Sequence, residues 1–135
     1  MQLTPHFQLD EFACKCGCGR HKKLSTVVNL RRLAINLEII REAAGGGPLV
    51  VQSGFRCPAH NARQPGAAAR SLHMQGLAAD LRGSHITPAR LAEVIERLIG
   101  EGKVSQGGIG IYSSSGFTHY DCRSVIGMRP WRDGE

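Results

Sequence analysis

The segment SLHMQGLAAD, residues 71–80, sets a histidine and an aspartate in a run of otherwise small, apolar or uncharged residues. His73 and Asp80 lie seven positions apart, which is too far for one helical turn of about 3.6 residues. Their side chains can therefore meet only if the chain bends between them. Gly76 lies in between, and glycine readily adopts the positive φ of a tight bend. We expect His73 and Asp80 to converge across this glycine.

A second segment, GFTHYDCR at residues 116–123, supplies another histidine and another aspartate. Side chains of a strand alternate between its faces, so we expect His119 and Asp121 on one face and Cys122 on the other. Two imidazoles and one carboxylate form a ligand set of the kind that holds a catalytic zinc, with the fourth position left to water. The two segments are therefore interpreted as one site. The other histidines are interpreted as structural or surface residues: His6, His21, His60 and His85.

The chain has 135 residues, of which 41% are hydrophobic, and this suffices for one domain with its own core over residues 1–135. A formal net charge of +6 favours an anionic partner, such as nucleic acid, an anionic membrane surface or an acidic cell-wall polymer. The opening MQLTPHFQLDEF has no basic start followed by an apolar run, and no segment approaches the ~20 apolar residues of a membrane span. We expect synthesis in the cytoplasm without a signal peptide, and no membrane insertion.

The strongest secondary-structure pattern is STVVNLRRLAINLEIIREAAGGG, residues 25–47. Its apolar residues recur at spacings of three and four, which predicts an amphipathic helix. Ser25 is a candidate N-cap, and the glycines at 45–47 are expected to end the helix before Pro48. The apolar stripe consists of Val27, Leu30, Leu33, Leu37 and Ile40.

Shorter patterns predict the remaining elements. A second amphipathic helix is expected in TPARLAEVIERLIGEG, with Thr87 as its cap and Pro88 at its first position. The resulting order favours an α+β fold, a single domain in which helices flank a small, mostly antiparallel sheet. The other predicted elements are a short helical start and loop in 7–24, a strand in 48–56, one helical turn from Pro58, a strand in 76–83, a hairpin in 107–123 and a loop in the tail 129–135.

Five cysteines occur, and three of them form CKCGC within the Cys- and Gly-rich segment 1–24. An odd count does not indicate a secreted disulfide framework. The Cys-x-Cys-x-Cys spacing also differs from the Cys-x-x-Cys turn of structural zinc sites. Three interpretations stay open for Cys14, Cys16 and Cys18: a second metal site, a disulfide, or free thiols in a tight glycine turn. Cys57 and Cys122 stand alone in the sequence.

Four segments together resemble the zinc D-alanyl-D-alanine peptidase family, which shares its fold with the hedgehog signalling domain. They are SGFRCPAHN (53–61), SLHMQGLAAD (71–80), GGIGIY (107–112) and FTHYDCR (117–123). EFACKCGCG (11–19) resembles the opening of a short branch of that family associated with phages and bacteria. The likeness extends from about Phe7 to Trp131, and its most specific part is the Ser-x-His-x-x-Gly-x-Ala-x-Asp spacing of residues 71–80. The fold it implies is the same small antiparallel sheet with helices.

The resemblance implies zinc as the cofactor, with His73, Asp80 and His119 as its ligands. Arg56 matches a family arginine that helps to hold the substrate or the scissile carbonyl, and a permanently charged, forked guanidinium suits that task. Ser71 matches a position that hydrogen-bonds substrate. A turn-stabilising role for Arg56 and a capping role for Ser71 are structural alternatives.

The general base of the family does not carry over. Where several members have Glu or Asp three residues before the last histidine ligand, this chain has Gly116, and where others have a histidine two residues before it, this chain has Phe117. Asp121 is then the nearby carboxylate, and it either takes a proton from the zinc-bound water or orients His119. The loop QPGAAARS (64–71) also departs from the Val-Gly-Gly-Ala turn that the family tends to show.

The reaction implied by the resemblance is zinc-assisted hydrolysis of peptidoglycan stem peptides at a bond involving a D-amino acid, by a carboxypeptidase or an endopeptidase. A basic protein suits a cell wall rich in carboxylate and phosphate. We expect a phage or prophage lysis protein (an endolysin), or a wall-modifying enzyme released by another route. In either case we expect a monomer that acts on the cell wall after release or delivery.

Two other classes of function stay open. A non-catalytic, zinc-stabilised module of the same fold, which binds cell wall or protein, is favoured by the missing base at Gly116. The basic run CKCGCGRHKK (14–23) is compatible with a metal-stabilised nucleic-acid contact. No recognition-helix pattern accompanies that run, and only 5% of the residues are aromatic. We therefore expect no specific nucleic-acid partner.

Overall fold

The computed structural model describes residues 1–123 and 131–132 of the chain. Over these residues the fold is α+β, as predicted, with helices packed against a mostly antiparallel five-stranded sheet in the order β3-β4-β6-β5-β7. The elements are β1 (Gln2–Thr4), β2 (Phe7–Gln8), α1 (Leu24–Ala43), β3 (Leu49–Ser53), α2 (Pro58–Ala62), β4 (Ala78–Gly83), α3 (Pro88–Gly100), β5 (Ile109–Tyr112), β6 (Phe117–Asp121) and β7 (Trp131–Arg132).

The long helix α1 carries the predicted apolar stripe but not the predicted cap. Leu30, Leu33, Leu37 and Ile40 are fully buried, whereas Val27 is only partly buried. The helix begins at Leu24 with Lys23 as its N-cap, and the Lys23 side chain makes no capping hydrogen bond. The prediction of Ser25 as the cap is therefore wrong, because the chain becomes helical before Ser25.

The second long helix, α3, begins where the sequence predicts. The Thr87 hydroxyl accepts a hydrogen bond from the Arg90 N–H (3.2 Å), and Pro88 occupies the first helical position, where its missing N–H costs nothing. Its apolar face packs against β5 and β6. The buried core side chains of this helix are Leu91, Ala92, Val94, Ile95 and Leu98.

The N-terminal segment forms a two-stranded hairpin, β1–β2, which the sequence patterns did not predict. A short 3-10 turn, Leu9–Phe12, follows it and confirms part of the expected helical start. The buried Phe12 lies against Gly54, and its carbonyl accepts a hydrogen bond from the Phe55 N–H at 2.9 Å. The segment is thereby anchored beside the turn that follows β3.

The tail departs from the predicted loop. Trp131 and Arg132 form β7, which pairs in parallel with the edge of β5, so the prediction of a loop over 129–135 is wrong at these two residues. The free backbone groups of an edge strand provide partners that a sequence pattern two residues long does not reveal. The rest of the predicted tail lies outside the described residues.

Strand register places four residues in one row across the sheet. Ser53 pairs with Asp80, Asp80 with His119, and His119 with Gly110. Directly opposed side chains on one face of a sheet are close neighbours. The row therefore brings Asp80 and His119 together although 39 positions separate them along the chain.

Within residues 1–123 and 131–132, no helix combines the length and the apolar character that crossing a bilayer requires.

Candidate metal centre and cleft

Three side chains predicted as metal ligands converge at one point. The ligand atoms of His73, Asp80 and His119 all lie within 4.8 Å of one another. His73 comes from the short 3-10 turn Leu72–Gln75, which ends at Gly76 with a φ of 75°. The bend expected at Gly76 is confirmed, because this left-handed conformation turns the chain from the His73 turn into β4.

The ring of His73 is oriented by the backbone. Its Nδ1 lies 2.7 Å from the Gly54 carbonyl oxygen, which only accepts, so Nδ1 must carry the proton and donate. The opposite ring nitrogen, Nε2, lies 3.3 Å from Asp80 Oδ1. His73 thus presents an unprotonated nitrogen towards the carboxylate, which is the state a metal-bound imidazole requires.

His119 lies between two carboxylates. Its Nδ1 is 3.0 Å from Asp80 Oδ1, and its Nε2 is 2.8 Å from Asp121 Oδ2. As the strand period predicts, His119 and Asp121 share a face of β6. When Nε2 donates to Asp121, Nδ1 is left to act as a ligand on the Asp80 side.

Asp121 is held by several donors. The side chain is only 1% exposed. Its Oδ1 accepts hydrogen bonds from the Gly108 N–H (2.8 Å) and from Arg123 Nε (3.0 Å). Arg123 also donates to Oδ2 through Nη2 at 3.1 Å. These contacts fix the carboxylate against His119, and Arg123 is a site residue that the sequence reasoning missed.

Arg56 supports the metal-ligand candidates through Asp80. Its Nη2 donates to Asp80 Oδ2 at 3.1 Å, while Nε donates to Ser53 Oγ at 3.2 Å. A third donor, Nη1, lies 3.5 Å from Asn61 Oδ1. A guanidinium has five N–H donors, so these contacts with described residues leave two, and Arg56 lines the cleft.

Ser71 has the capping contact that was the structural alternative for this residue. Its hydroxyl oxygen accepts a hydrogen bond from the His73 N–H at 3.2 Å and so begins the 3-10 turn. The same side chain also lines the cleft beside the metal-ligand candidates. Its hydroxyl proton is not used by this cap.

The proximity of these groups shifts their pKa values. Burial raises the pKa of Asp80, but its close polar contacts with His119 and His73 outweigh that effect and hold the pKa well below its usual range. Burial lowers the pKa of His73. Burial also lowers the pKa of His119, yet the hydrogen bonds to Asp121 and Asp80 produce a net rise. The site therefore keeps Asp80 ionised and His73 neutral, as metal ligation needs.

The three candidates lie in an open cleft of about 810 Å³. One wall carries the stacked rings of Tyr112 and Phe117, whose centres are 4.6 Å apart. The cationic side chains along the cleft are Lys15, Arg56, Arg70 and Arg123, and its carboxylates are Asp80 and Asp121. A cleft with this lining favours a ligand that bears negative charge.

The loop that departs from the family pattern also borders the cleft. Residues 64–68 and 70–71 contribute to its wall, and Gln64 Nε2 lies 3.3 Å from His60 Nε2. Gly116 is at a turn with a φ of 79°, next to Phe117. Because glycine has no side chain, Gly116 supplies no proton acceptor to the cleft.

The cysteine segment gains a member that the sequence reasoning treated as isolated. Cys57 lies with Cys14, Cys16 and Cys18, and their four sulfur atoms are within 4.8 Å of one another. All five cysteines are free thiols. No local spacing in the sequence signals this contact, which places the N-terminal segment next to Arg56 and the metal-ligand candidates.

Two further histidines have the structural contacts expected of them. His6 Nδ1 bonds Glu38 at 2.7 Å, and His21 Nε2 bonds Asp10 at 2.9 Å. Neither belongs to a group of potential metal ligands among the described residues.

An α+β domain that gathers two histidines and an aspartate in an open, basic cleft has the architecture of a metal-dependent hydrolase. A family model described as Peptidase M15 matches residues 5–121, and the chain therefore belongs to the peptidase M15 family. Membership confirms the predicted zinc peptidase family and supports a zinc-dependent metallopeptidase. A comparison with curated proteins gave no match.

Proposed function

We propose that this M15 peptidase hydrolyses peptidoglycan stem peptides at a bond involving a D-amino acid, with His73, Asp80 and His119 as the zinc ligands. The observation that carries the proposal is the convergence of these three donors in an open cleft. The family supports the peptidase activity, and the resemblance described above suggests the substrate class.

The donor set suits zinc. Two imidazole nitrogens and a carboxylate oxygen are ligands that zinc accepts, and three protein ligands leave a position open. The Gly54 carbonyl and the Asp121 carboxylate hold the far nitrogens of the two rings, which is the arrangement that fixes metal-binding histidines. A bound zinc ion supplies Lewis-acid polarisation of the peptide carbonyl and makes a water more acidic.

The remaining residues position the ligands and the substrate. Arg56 orients Asp80 and has two N–H donors left for a carbonyl or carboxylate of the substrate. Asp121 keeps the proton of His119 on the nitrogen that faces away from Asp80. Ser71 caps the His73 turn and retains a hydroxyl proton that a substrate oxygen can accept.

The cleft supports a peptide that carries carboxylates. Lys15, Arg70 and Arg123 line the same cleft as the ligand candidates, and the Tyr112–Phe117 pair offers an apolar wall. Stem peptides contain free carboxylates, and the whole chain is basic by six charges. We further propose that the protein is made in the cytoplasm and acts on the cell wall after release, as a lysis protein or a wall-modifying enzyme.

A non-catalytic binding module is the second candidate. The observation in its favour is that Asp121, which lines the cleft as a carboxylate outside the ligand set, is already bonded to His119, Gly108 and Arg123. Such a module would bind zinc and stem peptides without releasing products.

The test uses paired synthetic stem peptides that end in D-Ala-D-Ala or in D-Ala-L-Ala, incubated with the zinc-loaded protein and analysed by mass spectrometry. We expect a chelator-sensitive product from the first peptide and little from the second. Amidation of the C-terminus then separates a carboxypeptidase, which needs the free carboxylate, from an endopeptidase. Equal cleavage of the terminal bond in both stereoisomers contradicts the substrate assignment, whereas a cut at an internal D-residue in both peptides identifies an endopeptidase. Binding without any product favours the module.

A further inference from the structure

Four cysteines form a second potential metal centre, outside the His/Asp site. The sulfur atoms of Cys14, Cys16, Cys18 and Cys57 lie within 4.8 Å of one another. Cys14 and Cys16 are 3.3 Å apart, and Cys16 and Cys57 are 3.6 Å apart. We propose that these four residues, the thiolate cluster, bind a structural zinc ion.

The spacing of the sulfurs matches a tetrahedral site. Zinc–sulfur bonds of about 2.3 Å place the sulfurs of a tetrathiolate about 3.8 Å apart. The Cys14–Cys16 and Cys16–Cys57 separations, 3.3 and 3.6 Å, lie just below this value, and no two of the four sulfurs are more than 4.8 Å apart. Shifts of about 1 Å or less therefore bring all four sulfurs to bonding distance. Four sulfur ligands in a tetrahedron select zinc or iron over metals that prefer oxygen.

The backbone is arranged to make this site in spite of the unusual Cys-x-Cys-x-Cys spacing. Gly17, with a φ of 79°, reverses the chain, and its N–H donates to the Cys14 carbonyl at 3.0 Å. This turn brings Cys16 and Cys18 back beside Cys14. A residue with a side chain would be strained at that φ, so the glycine is part of the site.

Backbone N–H groups also point at the sulfurs. The Cys57 N–H lies 3.4 Å from Cys14 Sγ, and the His60 N–H lies 3.4 Å from Cys57 Sγ. Such donors stabilise thiolates, the form in which cysteine binds a metal. The basic residues of GRHKK, 19–23, follow directly and offset the negative charge of a tetrathiolate.

The alternatives account for less of this geometry. One disulfide uses only two of the four sulfurs, and two disulfides would form two separate pairs, whereas Cys16 lies near both Cys14 and Cys57. Cys16 and Cys18 are exposed, so packing does not bring them to the buried Cys14 and Cys57. A zinc ion, by contrast, needs all four and admits two ligands at the surface.

The thiolate cluster would connect the N-terminal segment to the cleft. Cys57 follows Arg56, which bonds Asp80, and Lys15 lies both between two cluster cysteines and along the cleft. A zinc ion that crosslinks residues 14–18 to Cys57 would therefore fix the turn from which Arg56 reaches the catalytic centre.

The test measures, under reducing conditions, how many zinc ions each chain binds and whether sulfur or nitrogen and oxygen atoms bind them. We expect two zinc ions per chain in the wild type by elemental analysis and native mass spectrometry, and one in Cys16→Ser, in Cys18→Ser and in the double variant His73→Ala/His119→Ala. The zinc left in the double variant should show a sulfur-only shell at about 2.3 Å by X-ray absorption. Cys122→Ser changes a cysteine outside the cluster and should retain two ions.

A second measurement uses the wild type alone and does not depend on how a variant folds. With zinc bound, the exposed Cys16 and Cys18 should resist alkylation until a chelator is added. The proposal is overturned by rapid alkylation of both residues in the zinc-loaded protein, by a disulfide mass under reducing conditions, by iron in place of zinc, or by a nitrogen and oxygen shell in the double variant. All four outcomes leave the His/Asp site and its proposed activity to be judged separately.

Discussion

Asp121 Oδ2 lies 2.8 Å from Nε2 of His119, across the ring from Asp80, whose Oδ1 is 3.0 Å from Nδ1. The Asp121 carboxylate therefore holds the imidazole at Nε2, while the Asp80 carboxylate lies beside Nδ1, the nitrogen that is the candidate metal ligand. The pair explains how a short His-x-Asp segment supplies both a ligand candidate and the group that orients it. The contact supports the orienting role, which is one of the two roles that the sequence left open for Asp121.

Replacing Asp121 with asparagine tests the orienting role. Asp121→Asn keeps the volume of a buried side chain but removes the charge that holds His119. We expect zinc affinity at the His/Asp site to fall by about 10- to 100-fold, the usual cost of losing such a partner, measured by competition with a chromogenic chelator. Unchanged affinity with lost turnover would instead assign Asp121 to proton transfer.

The raised pKa of His119 predicts how zinc binding depends on pH. Zinc can bind His119 only after the ring has lost a proton. Because the pKa of His119 in the folded chain lies above its ordinary value of 6.5, protons compete with zinc for this ring at a higher pH than they do for an ordinary histidine. Zinc affinity should therefore begin to fall on acidification while the pH is still above 6.5. In Asp121→Asn, which removes the main interaction that raises this pKa, the fall should begin at lower pH. An onset that is the same in both proteins contradicts this explanation.

Arg56→Lys tests whether the guanidinium group of Arg56 must bond Asp80 and the substrate at the same time. One ammonium group cannot bond Asp80, Ser53 and Asn61 together as the guanidinium does. We expect kcat/KM for a stem peptide to fall on the order of 100-fold. Arg63→Lys, at an exposed position just beyond α2, is the matched control and should stay near wild type. A value for Arg56→Lys within twofold of the control would exclude Arg56 from the reaction.

Gly54→Ala tests the packing behind the site. A Cβ at Gly54 would lie 2.8 Å from the Cα of Phe12, and backbone atoms cannot move aside cheaply. We expect the free energy of unfolding to fall by about 1–3 kcal/mol in urea denaturation, as is typical of overpacking. Gly100→Ala is the control, since a Cβ there meets nothing within 4 Å and favours the helix. Equal stability of both variants would contradict the close contact.

The sequence predicts the fold and the ligand candidates because both leave local patterns. Spacings of three and four reveal α1, Thr87 with Pro88 marks the start of α3, and period two places His119 and Asp121 on one face. Gly76 predicts the bend between His73 and Asp80 because few other residues adopt its φ.

What the sequence does not predict depends on contacts between distant segments. The pairing of Trp131 and Arg132 with β5 and the meeting of Cys57 with the 14–18 turn leave no periodic signal. The hydrogen bond from Arg56 to Asp80 leaves no such signal either, because it depends on the register of two strands and not on spacing along the chain. The prediction of the α1 cap was wrong for a local reason. Ser25 is a residue type that favours the N-cap position, but it lies one residue inside the helix.

The most direct test of the proposed zinc peptidase is hydrolysis of a D-Ala-D-Ala stem peptide through one cycle of zinc removal and return. We predict that chelation abolishes the product, that added zinc restores it, and that His119→Ala shows none at any zinc concentration. Product that persists in His119→Ala, or that does not return with zinc, would contradict the assignment of His73, Asp80 and His119 as the metal centre of the reaction.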